Sequence, residues 1–152
     1  MKMAEERKPL EILVIDDQEG ILDMLKGWLE EAGANPTLMS GGNEAVDDFL
    51  RRLNCEKPYD AVLTDMLMPG GSGTYVISQI KRISPKTPVI AVTAFEPYQV
   101  DKFLSQQSER PDAILTKPLR RIVITDLISQ LKSYQLNHEC PFTYTHLQQT
   151  QS

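Results

Sequence analysis

Tyr59–Ser72 reads YDAVLTDMLMPGGS, and this stretch decides the fold. Ala61-Val62-Leu63 is apolar, too short for a helix, and fenced by Pro58 before it and Pro69-Gly70-Gly71 after it. A short continuous apolar run bounded by turn residues suits a strand buried on both faces, as in a parallel sheet. The run ends on an acid, Asp65, where the chain passes into a loop. Open α/β sheets bind ligands outside the carboxyl ends of their strands, so Asp65 is placed for chemistry rather than packing.

Outward from that strand the same arrangement recurs. Leu10–Ile15 (LEILVI) is a first strand with Asp16-Asp17 at its end. Val89-Ile90-Ala91-Val92 is a fourth that ends on Thr93, and Ala113-Ile114-Leu115 a fifth that leads into Thr116-Lys117-Pro118. Asn35–Met39 is a weaker, more polar strand of the kind tolerated at a sheet edge. Helical periodicity fills the gaps. Ile21, Leu22, Leu25, Trp28 and Leu29 share one face, with Trp28 a core residue and Gly33 ending the helix. Val46, Phe49, Leu50 and Leu53 mark a second helix, and Val76, Ile77, Ile80 and Ile83 a third with Ser72 as N-cap. A fourth covers Pro97 to Gln106, with Pro97 in its first turn and Val100, Phe103 and Leu104 inward. A last helix carries Ile122 or Val123, Leu127, Ile128 and Leu131. Five alternations of strand and helix call for one α/β domain over 10–133: a doubly wound, five-stranded parallel sheet of order 2-1-3-4-5. Residues 1–9 are a charged lead-in. Residues 134–152, with one charged residue and four glutamines, form a tail that docks on the body or on a neighbouring copy.

Composition limits the function. The 152 residues are 41% hydrophobic and 24% charged, ordinary for one globular domain. A formal charge of −5 argues against direct nucleic-acid binding, which needs a basic face. Cys55 and Cys140 have neither disulfide-framework nor metal spacing, and His138 and His146 are too awkwardly spaced for a metal pair. No apolar run reaches the roughly 18 residues of a membrane span, and the N-terminus lacks a signal-peptide core, so the cytoplasm is expected.

The order 2-1-3-4-5 brings Asp16, Asp17, Asp65, Thr93 and Lys117 to one crevice. Two carboxylates about 4 Å apart repel by on the order of 4 kcal/mol at an effective dielectric near 20. A hard divalent cation such as Mg²⁺ relieves that repulsion, and it is commonly held by one or two carboxylates, water and a phosphoryl oxygen. The Lys117 ammonium and the Thr93 hydroxyl suit a transferred phosphoryl group, and Asp65 suits the nucleophile. Each feature alone has a structural reading: acids at a helix start, β-propensity for Thr93, a turn at Lys-Pro. All of them at successive strand ends point to chemistry.

From Leu10 to Ser133 the chain resembles the receiver domain of two-component response regulators. The residues that carry the resemblance are VIDDQ, TDMLMPGGSG, VTA and TKPL, with Asp65, Met68, Pro69 and Gly73 matching the family's Asp, Met-Pro and Gly spacing. The resemblance implies that Asp65 accepts a phosphoryl group from a histidine kinase or phosphotransfer protein. It implies that Asp17 binds Mg²⁺ directly, Asp16 through water, and Leu67 through its backbone carbonyl. It makes Thr93 the switch hydroxyl, Lys117 the phosphoryl contact, and Pro118 the second residue of a cis peptide bond. Output would pass through helix 4, strand 5 and helix 5 to a protein partner or a second copy. Ile114 departs from the family, which carries Tyr or Phe there as a ring that turns on activation. Leu67 and Phe95 are apolar where polar side chains could orient a hydrolytic water, which implies a long-lived phosphorylated state. Other possibilities are a receiver cut from a longer regulator or hybrid kinase, a docking module that is never phosphorylated, and an aspartyl phosphatase. The phosphatase would want an acid where Leu67 stands.

Overall fold

The computed structural model describes residues 8–66, 73–137 and 139–147. Strands and helices alternate as β1 (Leu10–Ile15), α1 (Glu19–Glu31), β2 (Ala34–Met39), α2 (Gly42–Asn54), β3 (Ala61–Asp65), α3 (Gly73–Ile83), β4 (Val89–Thr93), α4 (Pro97–Leu104), β5 (Ala113–Thr116), α5 (Arg121–Asn137) and β6 (Thr145–His146). The sheet is parallel throughout, in the order β2-β1-β3-β4-β5-β6. The five expected strands stand in the expected order. A sixth lies beyond them, so β5 is an inner strand.

Alternation along each strand divides the core into two layers. Leu10, Ile12, Val14, Leu63 and Val92 face α1 and α5, where Leu25, Leu29, Ile124, Leu127 and Ile128 meet them. Leu13, Ile15, Val62, Ala91 and Ile114 face α2, α3 and α4, where Phe49, Ile77, Ile80 and Val100 meet them. All five residues of β3 and of β4 are buried. In β2 only Ala34 is, as befits an edge. Trp28 packs half-buried on the first layer, as its place on the α1 stripe predicts.

Gly33 follows α1 at φ 89°, a left-handed backbone that favours glycine, and Lys132 of α5 donates to the Ala32 carbonyl at 3.1 Å. The helix α4 ends at Leu104, two residues short of Gln106. Glu96 caps it, and the Gln99 side chain accepts the Glu96 amide at 2.9 Å. Ser72, expected to cap α3, and His138 lie outside the described residues. The segment expected to be a tail contributes the last turn of α5 and, in β6, the new edge strand. Cys55 and Cys140 are free thiols.

One polar cluster ties β4 to β5. Lys81 sits 2.8 Å from Asp112, and the same carboxylate oxygen accepts the Val89 amide at 2.8 Å. Lys81 also donates to the Pro85 and Thr87 carbonyls. Both side chains are mostly buried, so removing the acid leaves an ammonium and an amide without their charged partner. Asp112→Ala is expected to cost about 2 kcal/mol, a fall of roughly 4–8 °C in melting temperature. Asp112→Asn, which can still accept the amide, should lose less. Equal thermal unfolding of Asp112→Ala and wild type would show that the cluster does not stabilise the fold.

Candidate functional site

The strand order reverses between β1 and β3, and the crevice at their carboxyl ends is where such sheets bind ligands. Asp16 leaves β1 buried, at 2% exposure. Its Oδ1 accepts the Gln18 amide at 2.9 Å, which orients the carboxylate at the start of α1. Asp17, next in sequence, is exposed. Asp65 closes β3 at 8% exposure. One carboxylate oxygen from each of Asp16, Asp17 and Asp65 lies within 4.8 Å of the others.

Lys117 reaches into this cluster from the end of β5. Its Nζ stands 3.3 Å from Asp16 Oδ2 and 3.5 Å from Asp65 Oδ2. The Lys117 amide donates to the Thr93 carbonyl at 2.7 Å, so the ends of β4 and β5 are joined just before the side chain departs. The Lys117–Pro118 peptide bond is cis, as the resemblance implied. Thr93 is 2% exposed, and its hydroxyl oxygen accepts the Phe95 amide at 3.0 Å. The structure thus brings together Asp16, Asp17, Asp65 and Lys117, with Thr93 ending the strand next to Asp65. Leu67 lies outside the described residues. Phe95 is half-buried and packs on the α2–α3–α4 layer, and Ile114 is fully buried in the same layer.

One residue of the site escaped the sequence, and the packing role of a second was not legible there. Thr64 reads as an ordinary β-branched strand residue, yet its buried hydroxyl donates to the Asp65 carbonyl at 3.0 Å and anchors that peptide. Gly73 matches the family's spacing in the sequence, and the structure adds its close packing on β3. Its amide donates to the Met66 carbonyl at 3.0 Å, and a Cβ built on it would overlap the Asp65 carbonyl oxygen and fall 2.7 Å from Met66 Cα. The start of α3 therefore presses on the backbone of Asp65 as only glycine allows.

The donor set fits a hard divalent cation. Three carboxylates and one ammonium leave the cluster two negative charges in excess, and every candidate ligand atom is an oxygen. His146, whose spacing from His138 argued against a metal pair, places Nε2 2.9 Å from Asp101. No helix among the described residues is long and apolar enough to cross a membrane.

Residues 12–129 match the family model of the response regulator receiver domain. Among curated relatives, the sensory transduction protein RegX3 of Mycolicibacterium smegmatis is 34% identical over 107 residues, which cover 70% of this chain and 43% of that protein. The Bacillus subtilis transcriptional regulatory protein YkoG is 35% identical over 83 residues, 55% of this chain and 34% of that one. The chain spans less than half the length of the curated relatives it matches. Among solved structures, a receiver domain protein of Clostridium thermocellum superposes with a TM-score of 0.71 at 29% identity, covering 86% of this chain and 99% of that chain. The receiver domain of a Pseudomonas aeruginosa sensor histidine kinase, solved with magnesium in its active-site cleft, shares the fold at a TM-score of 0.66 and 22% identity, over 82% of this chain and 98% of that one. A sheet of this order, with its acids and lysine at the strand ends, is the frame on which these similarities lie, and the chain belongs to the response regulator receiver family of two-component signalling.

Proposed function

We propose that Asp65 accepts a phosphoryl group from a histidine kinase or a phosphotransfer protein, and that the modified domain switches a protein-binding surface. The observation that carries this proposal is the placement of Lys117 between the buried carboxylates of Asp16 and Asp65 at the carboxyl ends of the strands. A carboxylate oxygen of Asp65 would attack phosphorus, the donor's P–O or P–N bond would break, and an acyl phosphate would form. Lys117 would pair with an equatorial oxygen of the transferred group and the Thr93 hydroxyl would donate to another. Asp17, Asp16 and the Leu67 carbonyl would hold Mg²⁺, which supplies neutralising charge to the phosphoryl oxygens.

Phosphorylation adds a charge of about −2 beside Lys117 and Thr93. The loop after Thr93 leads directly into α4, so α4, β5 and α5 would present the altered surface to a partner protein or to a second copy. All the acids of the site are in place, which favours this reading over a docking module that is never phosphorylated. The test is labelling of the protein by acetyl phosphate with and without Mg²⁺. Label that is absent, or indifferent to Mg²⁺, would overturn the proposal.

The lifetime of the acyl phosphate depends on which side chains can orient the attacking water. We propose that apolar Leu67 and Phe95 slow hydrolysis, because neither can hydrogen-bond the in-line water. Phe95→Glu is expected to speed loss of the label, about tenfold if it lowers the barrier by about 1.4 kcal/mol. Unchanged decay after removal of the donor would clear Phe95 of that role.

A further inference from the structure

The segment after α5 folds back across the edge of the sheet. Thr145 and Leu147 donate their amides to the Asp112 and Ile114 carbonyls at 3.1 and 2.9 Å, adding β6 beside β5. Phe142, 4% exposed, enters the α1–α5 layer, whereas Tyr144 packs on the opposite layer with α4. The segment therefore grips both faces of the sheet.

Its strongest polar contacts go to one residue of α4. The Tyr144 hydroxyl donates to Asp101 Oδ1 at 2.6 Å, and His146 Nε2 meets the same oxygen at 2.9 Å. These bonds hold the Asp101 carboxyl below its ordinary range, and burial together with the Asp101 contact raises the Tyr144 phenol. The Arg110 guanidinium lies 5.2 Å from the centre of the Tyr144 ring. Tyr144 makes these contacts at φ 58°, a left-handed backbone that an aromatic residue rarely adopts. The fastening is thus made at the expense of local strain. Such an element is poised to let go.

We propose that residues 139–147 are a restraining strap, an added edge strand fastened to Asp101 that holds α4 in place and loosens when Asp65 is phosphorylated. The coupling rests on the phosphoacceptor reading of Asp65, and the strap itself does not. Thr93 lies four residues before Pro97, the first residue of α4, and its hydroxyl oxygen holds the Phe95 amide. A Thr93 hydroxyl drawn across to a phosphoryl oxygen gives up that amide, and α4 shifts with residues 94–96. Asp101 then leaves Tyr144 and His146. By linkage, releasing the strap must favour phosphorylation by the factor with which phosphorylation releases the strap.

Amide hydrogen exchange of Thr145 and Leu147 in the full chain reads this out. In the unmodified protein Asp101→Ala, a change at an exposed side chain, should speed both amides about tenfold, and Tyr144→Phe severalfold. Beryllofluoride with Mg²⁺, a stable phosphoryl stand-in, should speed them in wild type and add little in Asp101→Ala. Exchange in Asp101→Ala equal to wild type overturns the strap whatever Asp65 does. Beryllofluoride that binds without changing wild-type exchange overturns the coupling. Failure of beryllofluoride to bind instead removes the phosphoacceptor reading, while the Asp101→Ala comparison still decides the strap.

Discussion

Asp65→Asn is expected to abolish labelling by acetyl phosphate, whereas Asp60→Asn should leave it largely intact. The two acids bracket the same strand, and their surroundings set the contrast. Asp65 ends β3 at the crevice, within ion-pair distance of Lys117 and beside Asp16 and Asp17. An asparagine there keeps the shape but loses the anionic oxygen that, in the proposed reaction, would attack phosphorus. Asp60 precedes β3 at the far end of the sheet. Its carboxylate accepts the Glu11 amide at 2.7 Å, and its own amide donates to the Glu11 carbonyl at 2.7 Å. Burial raises the Asp60 carboxyl above its ordinary range. An asparagine side chain can accept the same amide without a buried charge, so the fold should tolerate it. Mass spectrometry of the intact protein after exposure to the donor reads both variants. Label surviving in Asp65→Asn at the wild-type level would place the nucleophile elsewhere.

The central site was legible in the sequence because each of its residues ends an apolar run. A strand of three or four apolar residues is hard to mistake when proline and glycine fence it, and the first polar residue after it must stand at the strand end. Asp16 and Thr93 are the first polar residues after their runs, Asp65 and Lys117 follow Thr64 and Thr116 by one position, and the two-layer core follows from the same runs. What escaped had no such punctuation. The strand β6 is two polar residues, Thr145 and His146, with no hydrophobic alternation to announce them. Its existence depends on a free edge at β5 and on Phe142 finding the α1–α5 layer, both products of the tertiary fold.

Side-chain partners across long separations were equally invisible. The spacing of His138 and His146 argues against a metal pair but names no partner, and His146 meets Asp101, forty-five positions away. Glu96 and Gln99 cap α4 from a stretch whose proline alone marked a helix start. Thr64 could not be separated from other β-branched residues until its hydroxyl was seen on the Asp65 carbonyl. In each case the residue type permits several partners, and only the folded chain selects one.

Among the described glycines, Gly73→Ala should be the most damaging substitution. The added Cβ would overlap the Asp65 carbonyl oxygen and lie 2.7 Å from both the Asp65 carbonyl carbon and Met66 Cα. These are backbone atoms, so no rotamer change relieves the clash. Either α3 withdraws from the end of β3 or the Asp65–Met66 peptide rotates. Withdrawal strips Val76, Ile77 and Ile80 of part of their packing on the sheet. Rotation breaks the Thr64 hydroxyl bond to the Asp65 carbonyl and the Met66 amide bond to the Val92 carbonyl. Overpacking of this kind costs about 3 kcal/mol, on the order of 10 °C in melting temperature for a domain of this size. Because the displaced carbonyl belongs to Asp65, the proposed phosphoacceptor, labelling by acetyl phosphate should fall together with stability, even at temperatures where the variant remains folded. Gly27→Ala is the control. It lies inside α1 with nothing within 4 Å of its Cβ position, so alanine should leave labelling unchanged and stabilise the helix by up to about 1 kcal/mol. A Gly73→Ala protein that melts with wild type and labels at the wild-type rate would mean that the start of α3 does not press on Asp65.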